Sequence, residues 1–262
     1  MAFTNIDVPG AINTYAFGLN DKGDVVGYYV DGSGAHGYLD RDGVFTTIDA
    51  PKASYTAAQA INDRGDIVGQ FTDAGGEQEG FVLNRDGVFQ ALRVPASRGT
   101  EPAGINDKGQ IVGFFFDQSG GHGFLDDHGV FTTLNVPGAI STEAHAINDR
   151  GQIIGSYVDR TGEHGFIWEK GAFTTVDVPG AIDTRALGVD NHGDIVGYYE
   201  DSSGAFHGFR DAHGVFTTID APGATVSTGA YAISENGAVA GVFVDGVGAH
   251  GFFASGRDFL LE

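Results

Sequence analysis

The sequence predicts an all-β fold: a six-bladed β-propeller with four antiparallel strands per blade, the N-terminal strand closing the last blade. Three observations lead there. An apolar-Asn-Asp-x-Gly turn or a close variant recurs at residues 20, 62, 106, 148, 190 and 234, a spacing of 42 to 44 residues. A period of that size with four strands per repeat is the mark of a propeller blade. Each repeat also divides into four short apolar runs separated by glycine-rich turns, none with helical periodicity. Finally, "FTNIDVPGAINT" at residues 3–14 is the tail of the repeat, matching "FTTIDAPKASYT" at 45, with no head in front of it.

Within the first complete repeat the strands follow in order. The first is "TYAFGL" (14–19), ended by the turn "NDKG"; the second is "DVVGYYVD" (24–31), ended by "GSGA". The third is "HGYLD", ended by "RDG", and the fourth is "VFTTID". The second strand is apolar almost throughout, as expected of a sheet covered on both faces. The connector "DVPGAINT" is the longest, which suits a chain crossing from the outer strand of one blade to the inner strand of the next. Residues 3–8 supply a fourth strand alone, and residues 230–253 supply three strands followed only by "RDFLLE". Joining the two ends makes one domain over 1–262 with a closed ring, so no blade is left unpaired. A linear stack would need capping repeats, and none is visible.

Composition excludes several function classes. The 262 residues include 43 Gly without a three-residue period, which implies many tight turns and neither collagen nor disorder. The formal charge of -21, from 35 acidic and 14 basic residues, repels nucleic acid and anionic lipid. No cysteine is present, so disulfides, thiolate metal sites and cysteine nucleophiles are excluded. No run approaches the roughly 20 apolar residues of a membrane helix, and no signal-like segment precedes Phe3. No membrane insertion, cofactor or metal is expected, and the chain is expected to be a monomer.

Two repeated features read as scaffold. The Asn-Asp-x-Gly turns fit a type I turn followed by a left-handed glycine, with the side chain bonding nearby backbone. An Asp ending the second strand (Asp31, Asp73, Asp117, Asp159, Asp201, Asp245) faces a His opening the third (His36, His122, His164, His207, His250), with Glu79 in the second repeat. The two ends of one hairpin can touch, so this pair reads as a hydrogen bond fixing the turn. Six copies far from the axis make a poor enzyme.

The stretch "INDRGQIIGSYVDRTGEHGFIWEKG" (147–171) resembles the HAF repeat of bacterial extracellular proteins: an Asn-Asp-x-Gly turn, a Val-Gly-type strand and a His-Ala-Phe-Leu-Trp-like strand. This chain has Gly in place of the Ala, and only His164-Gly165-Phe166-Ile167-Trp168 keeps the Trp. The resemblance covers nearly the whole chain. It implies a secreted or cell-surface location in a bacterium and transfers no activity. The close likeness of the repeats also fits recent amplification or deliberate repeat design with no specific activity.

Positions that differ between otherwise similar repeats are free of scaffold duty. On the first strand one such column is Tyr15, Ala57, Glu101, Glu143, Arg185 and Gly229; two residues on come Phe17, Gln59, Ala103, His145, Leu187 and Tyr231. Strand alternation puts both columns on one side, and the first is expected to ring the mouth of the central channel. The expected ligand-binding residues are therefore Tyr15, Phe17, Gln59, Glu101, Glu143, His145, Arg185 and Tyr231. Convergent polar groups in a concave mouth suit a small molecule, glycan or protein partner. Alternatively, Glu101 and Glu143 divide acid and base roles in a carbohydrate-active hydrolase or lyase. The bland reading is a set of solvated charges in which Glu143 pairs with Arg185. No Gly-x-Ser-x-Gly elbow, His-Glu-x-x-His helix or phosphate loop favours an enzyme.

Overall fold

The computed structural model describes residues 2–255, so the terminal "RDFLLE" lies outside the described residues. Asn13–Leu19, Val25–Val30, Ala35–Arg41 and Val44–Ile48 form an antiparallel four-stranded meander. The same pattern recurs over residues 55–92, 99–134, 141–176 and 183–219. Residues 227–254 supply three strands, and Phe3–Ile6 pairs antiparallel with the last of them, Ala249–Ala254. Ile6 lies opposite Gly251 as Ile48 lies opposite Gly37, so the N-terminal strand occupies the fourth-strand register. The all-β expectation holds: strands are the only regular elements among the described residues, and the four-stranded sheets match the blade unit.

Glycine in the second strand is dictated by packing. A Cβ on Gly27 would lie 1.8 Å from the Tyr15 carbonyl oxygen and 3.1 Å from the Tyr38 ring. That bare backbone lets the third-strand aromatic lie flat on it, and Tyr38, Phe81, Phe124, Phe166, Phe209 and Phe252 are all fully buried. These rings join neighbouring repeats: Phe81 packs in one cluster with Val26 and Ile48 from the repeat before it. Truncating such a ring to alanine costs about 3–5 kcal/mol.

The connectors between repeats are pinned by one threonine each. Thr14 Oγ1 accepts the Val8 amide at 3.1 Å, and Thr56, Thr100, Thr142, Thr184 and Thr228 do the same for residues 50, 94, 136, 178 and 221. Each thereby satisfies an amide that would otherwise be left unpaired.

The Asn-Asp-x-Gly turns interlock. Asn62 Oδ1 accepts the amides of Arg64 and Asp66, while its Nδ2 donates to Asp66 and to the Asn106 carbonyl of the next repeat. Asn20, Asn106 and Asn148 make the same forward link. One residue on, the Asp21 amide donates to Asp63 Oδ1, Asp63 to Asp107, Asp107 to Asp149, Asp149 to Asn191, and Asn191 to Glu235. The Glu235 amide then donates to Asp21 Oδ1 at 2.7 Å, linking the sixth turn to the first. Gly23, Gly65, Gly109, Gly151, Gly193 and Gly237 all have φ between 76° and 94°, as the expected left-handed position requires.

The first strands approach one another closely. At the position after the second variable column Gly18, Ala60, Gly104, Ala146, Gly188 and Ala232 alternate around the repeats. A Cβ on Gly18, Gly104 or Gly188 would come within 2.8 to 2.9 Å of the Cα of Ala60, Ala146 or Ala232 respectively.

Candidate functional site

Three cavities follow one another along the first strands. One of about 80 Å³ is bounded by the turn residues from Asn20 and Asp21 round to Ser234 and Glu235. The next, about 90 Å³, is lined by Phe17, Gly18 and Leu19 and their counterparts in all the repeats. The third, about 190 Å³, opens at the opposite end. Seven of the expected residues meet there: Phe17, Gln59, Glu101, Glu143, His145, Arg185 and Tyr231. Tyr15 lies apart from them, in an adjoining cavity of about 410 Å³ that also takes in Phe17, Tyr198 and Tyr231.

Strict alternation does not explain how the second column reaches the site. In every first strand the ladder skips one residue: Ala16 pairs with Gly27 and Gly18 with Val26, leaving Phe17 as the bulged residue. Gln59, Ala103, His145, Leu187 and Tyr231 occupy the same bulge. A bulge re-aims one side chain and increases the local twist. Here it is built into all the repeats and always at a variable position.

The first-column residues stand opposite second-strand residues that sequence reasoning missed. Glu101 pairs with Phe114, Glu143 with Ser156, Arg185 with Tyr198, Tyr15 with Tyr28 and Ala57 with Gln70. Gln70, Phe114 and Tyr198 line the 190 Å³ cavity. Their column varies as much as the first, which was the available signal.

The bland reading's pairing of Glu143 with Arg185 is replaced by another partner. Arg185 Nε donates to Glu163 Oε1 at 2.6 Å, and Glu163 comes from the third strand of the preceding repeat. The guanidinium also lies over the Tyr198 ring, 5.9 Å from its centroid. Burial opposes the Arg185 charge, but the hydrogen bond to Glu163, with Tyr198 and Glu143 nearby, carries its pKa upward.

Glu163 Oε1 accepts a second hydrogen bond from Ser156 Oγ at 2.9 Å, and Ser156 Oγ lies 3.2 Å from His145 Nε2. With the Ser156 proton given to Glu163, His145 Nε2–H is the donor to Ser156. Burial, then the Arg185 charge, lowers the His145 pKa to about 3, so the imidazole is neutral at ordinary pH. This is not a nucleophilic triad, because the serine hydrogen points to the carboxylate and the histidine donates to the serine.

The two carboxyls differ from their ordinary state and from each other. Burial, followed by repulsion from Glu143, raises Glu101 to about 7, opposed by a hydrogen bond from Gln78. Glu143 is also raised, chiefly by burial, but Arg185 pulls it back. Near neutrality Glu101 is therefore poised between its protonated and charged forms.

The Asp-His pairs are scaffold with a partner the sequence did not suggest. His36 Nδ1 lies 3.0 Å from Asp49, at the end of the fourth strand, while Nε2 bonds Ser33 Oγ, which in turn bonds Asp31. His122, His164 and His207 reach Asn135, Asp177 and Asp220 in the same way. His250 reaches Asp7 of the N-terminal strand at 3.0 Å. In the second repeat the charges are exchanged, with Arg93 donating to Glu79. These hydrogen bonds and the neighbouring Tyr29, Phe115, Tyr157, Tyr199 and Phe243 rings, 5.1 to 5.4 Å away, account for these histidines. Among the described residues no group of three or more His, Asp or Glu is arranged to hold a metal ion.

No family model matches the chain. No curated protein matches it in sequence. Solved structures do match it in fold. An arginine-to-alanine triple mutant of AofleA from Arthrobotrys oligospora is 13% identical with a TM-score of 0.63, covering 98% of this chain and 88% of that one. The lectin of Aleuria aurantia, described as a six-bladed β-propeller with a novel fucose recognition mode, is 11% identical with a TM-score of 0.56, covering 95% and 93%. A gluconolactonase of Xanthomonas campestris is 15% identical with a TM-score of 0.54, covering 92% and 88%. Lectin and enzyme alike share this backbone, and at these identities the likeness concerns fold alone. The chain has an all-β, propeller-like fold.

Proposed function

We propose that the chain is a single six-bladed propeller closed by its N-terminal strand, acting as a binding module whose ligand enters the channel mouth at Glu101, Glu143, His145 and Arg185. The Phe3–Ile6 pairing, the Asp7–His250 contact and the turn hydrogen bond from Glu235 back to Asp21 support closure. The observation that carries the binding reading is the concentration of dissimilar residues in one cavity. Repeats that agree in turns, connectors and core disagree where their first strands meet at the mouth. A solvated surface does not need buried carboxyls, a neutral buried histidine and a paired arginine in a single 190 Å³ space.

A saccharide or another small polar molecule suits such a mouth, and a secreted or cell-surface module, as the HAF-like repeat implies, meets these ligands. The second reading is a carbohydrate-active hydrolase or lyase. It draws on Glu101, whose carboxyl is raised to about 7 by burial and by the Glu143 charge beside it, the range in which a general acid works on a glycan. A glycan-array screen of the wild-type chain and the Glu101→Gln, Glu143→Gln double variant separates the two. Binding that the variant loses, with no new reducing ends released, supports the module. Turnover abolished by the variant supports the enzyme, and wild-type hits unchanged in the variant place the ligand elsewhere.

A further inference from the structure

The larger cavity, about 410 Å³, owes its existence to one repeat whose first strand gives the mouth only Tyr231. In the sixth repeat the paired first- and second-strand positions hold Gly229 and Val242, where the first holds Tyr15 and Tyr28 and the fifth Arg185 and Tyr198. Gly229 and Val242 form the floor of a slot between aromatic side chains of the repeats on either side. On one side Tyr15 and Tyr28 stack at 4.4 Å and 7°, with Tyr55 edge-on to Tyr28. On the other, Tyr198 stands against Phe206 and Tyr231. Phe17 and Tyr231, 4.9 Å apart, connect the two walls at the base.

No backbone constraint demands this glycine, since its φ is not in the left-handed region and the other repeats carry Tyr, Ala, Glu, Glu and Arg at the position. A Cβ there would come within 2.9 Å of the Tyr231 ring and 3.5 Å of Tyr198. The bare backbone thus lets the Tyr231 ring lie against Gly229, and a larger side chain here would fill the slot.

The slot shares Phe17, Tyr198 and Tyr231 with the 190 Å³ cavity, so one ligand can occupy both. The charges around that shared mouth are unbalanced: Glu143 and Glu163, joined by Glu101 when a bound cation draws off its proton, against Arg185, with His145 neutral. Charge complementarity calls for a cation on the ligand, and aromatic walls favour cations as well as apolar ring faces. Resting on the mouth as the binding site, we infer that the Gly229 slot is a subsite for one pyranose ring of an amino sugar, its C–H faces held between the tyrosine walls and its ammonium directed to Glu101 and Glu143. A pyranose offers apolar hydrogens on its faces and polar groups on its edge, the combination that two aromatic walls beside a carboxylate pair discriminate.

The test is calorimetric titration at pH 6 with a glucosamine tetramer, its fully N-acetylated counterpart and cellotetraose. The glucosamine tetramer should bind at least tenfold tighter than either neutral sugar. Gly229→Tyr, which copies the first repeat, and Val242→Phe, which copies Phe114 of the third, should each weaken it tenfold or more; circular dichroism and melting establish that each is folded. The Glu101→Gln, Glu143→Gln double variant should erase the preference for the amine. Equal affinity for the three tetramers, or binding indifferent to both slot-filling variants, overturns the inference. Displacement of the tetramer by tetramethylammonium at equal concentration overturns the saccharide assignment in favour of a simple cation cage. If no tetramer binds, the inference falls, whereas array hits lost in the double variant would leave the mouth itself standing.

Discussion

At one end of the channel Asn20, Asn62, Asn106 and Asn148 make the same contacts from repeat to repeat; at the other, Tyr15, Ala57, Glu101, Glu143, Arg185 and Gly229 share a backbone position and little else. The asparagines directly follow first strands that carry members of the second set, only a few residues away. The turn end holds the repeats together through amide and carboxylate bonds to the neighbouring backbone, so a change in one repeat is felt by the next. At the mouth the same backbone position accommodates Tyr, Ala, Glu, Arg or Gly. Under the proposed function, stability and recognition are assigned to opposite ends of the first strands.

The sharpest way to break this contrast is Asn106→Ala. It leaves the buried Asn148 carbonyl and the Lys108 and Gln110 amides without their partner, and it should cost about 2–4 kcal/mol in urea unfolding. Ligand affinity at the mouth should not change. A cost below about 0.5 kcal/mol would mean that the turn ring is not what holds adjacent repeats.

Glu101→Gln should act in the opposite direction and only at higher pH. The unfolded carboxyl titrates near 4.5 and the folded one near 7, so between these values the native state binds more protons. Stability therefore falls as pH rises through that window, with the full penalty above it. The variant should be more stable than the wild type by about 1–2 kcal/mol at pH 8, discounting for solvent screening, and no more stable at pH 4. Chemical denaturation at the two pH values checks this.

The turn end also contains two natural gaps. Asp190 accepts the Gly193 and Asp194 amides but has no side-chain amide to donate forward, and Ser234 bonds within its own turn. Asp190→Asn should restore the missing link, remove a like charge near Glu235 and stabilise by about 1 kcal/mol. A smaller gain, about 0.5 kcal/mol, is expected for Val247→Ser. Val247 stands where Ser33 and Ser119 bond their histidines, and His250 Nε2 is buried without a hydrogen-bond partner. Thermal melting of the two variants ranks these effects.

The repeat period, the strand order and the register of the N-terminal strand were legible because each repeat states them afresh; the phase of "FTNI" against "FTTI" is enough. First-strand site residues were legible because they vary against a constant background. Tyr28, Gln70, Phe114 and Tyr198 were hidden within an apolar run that reads as core, and only strand register puts Arg185 opposite Tyr198. Glu163 was harder still. It reaches Arg185 from the preceding repeat, a contact fixed by how sheets pack, which pattern within one repeat does not encode. The bulge at Phe17 escaped because a strand with one extra residue has the same composition as one without.

The Gly-Ala alternation along the first strands imposes a parity rule. Around a closed circuit, two residue types can take turns only when the number of members is even. Excising a glycine repeat would set alanine beside alanine where there is no room for a second methyl group, excising an alanine repeat would leave two glycines loosely packed, and excising a Gly-Ala pair of repeats preserves the sequence of neighbours. If the chain closes as proposed, gain or loss of sectors should thus proceed in twos, or loss of a glycine repeat should bring a compensating alanine-to-glycine change at the new seam.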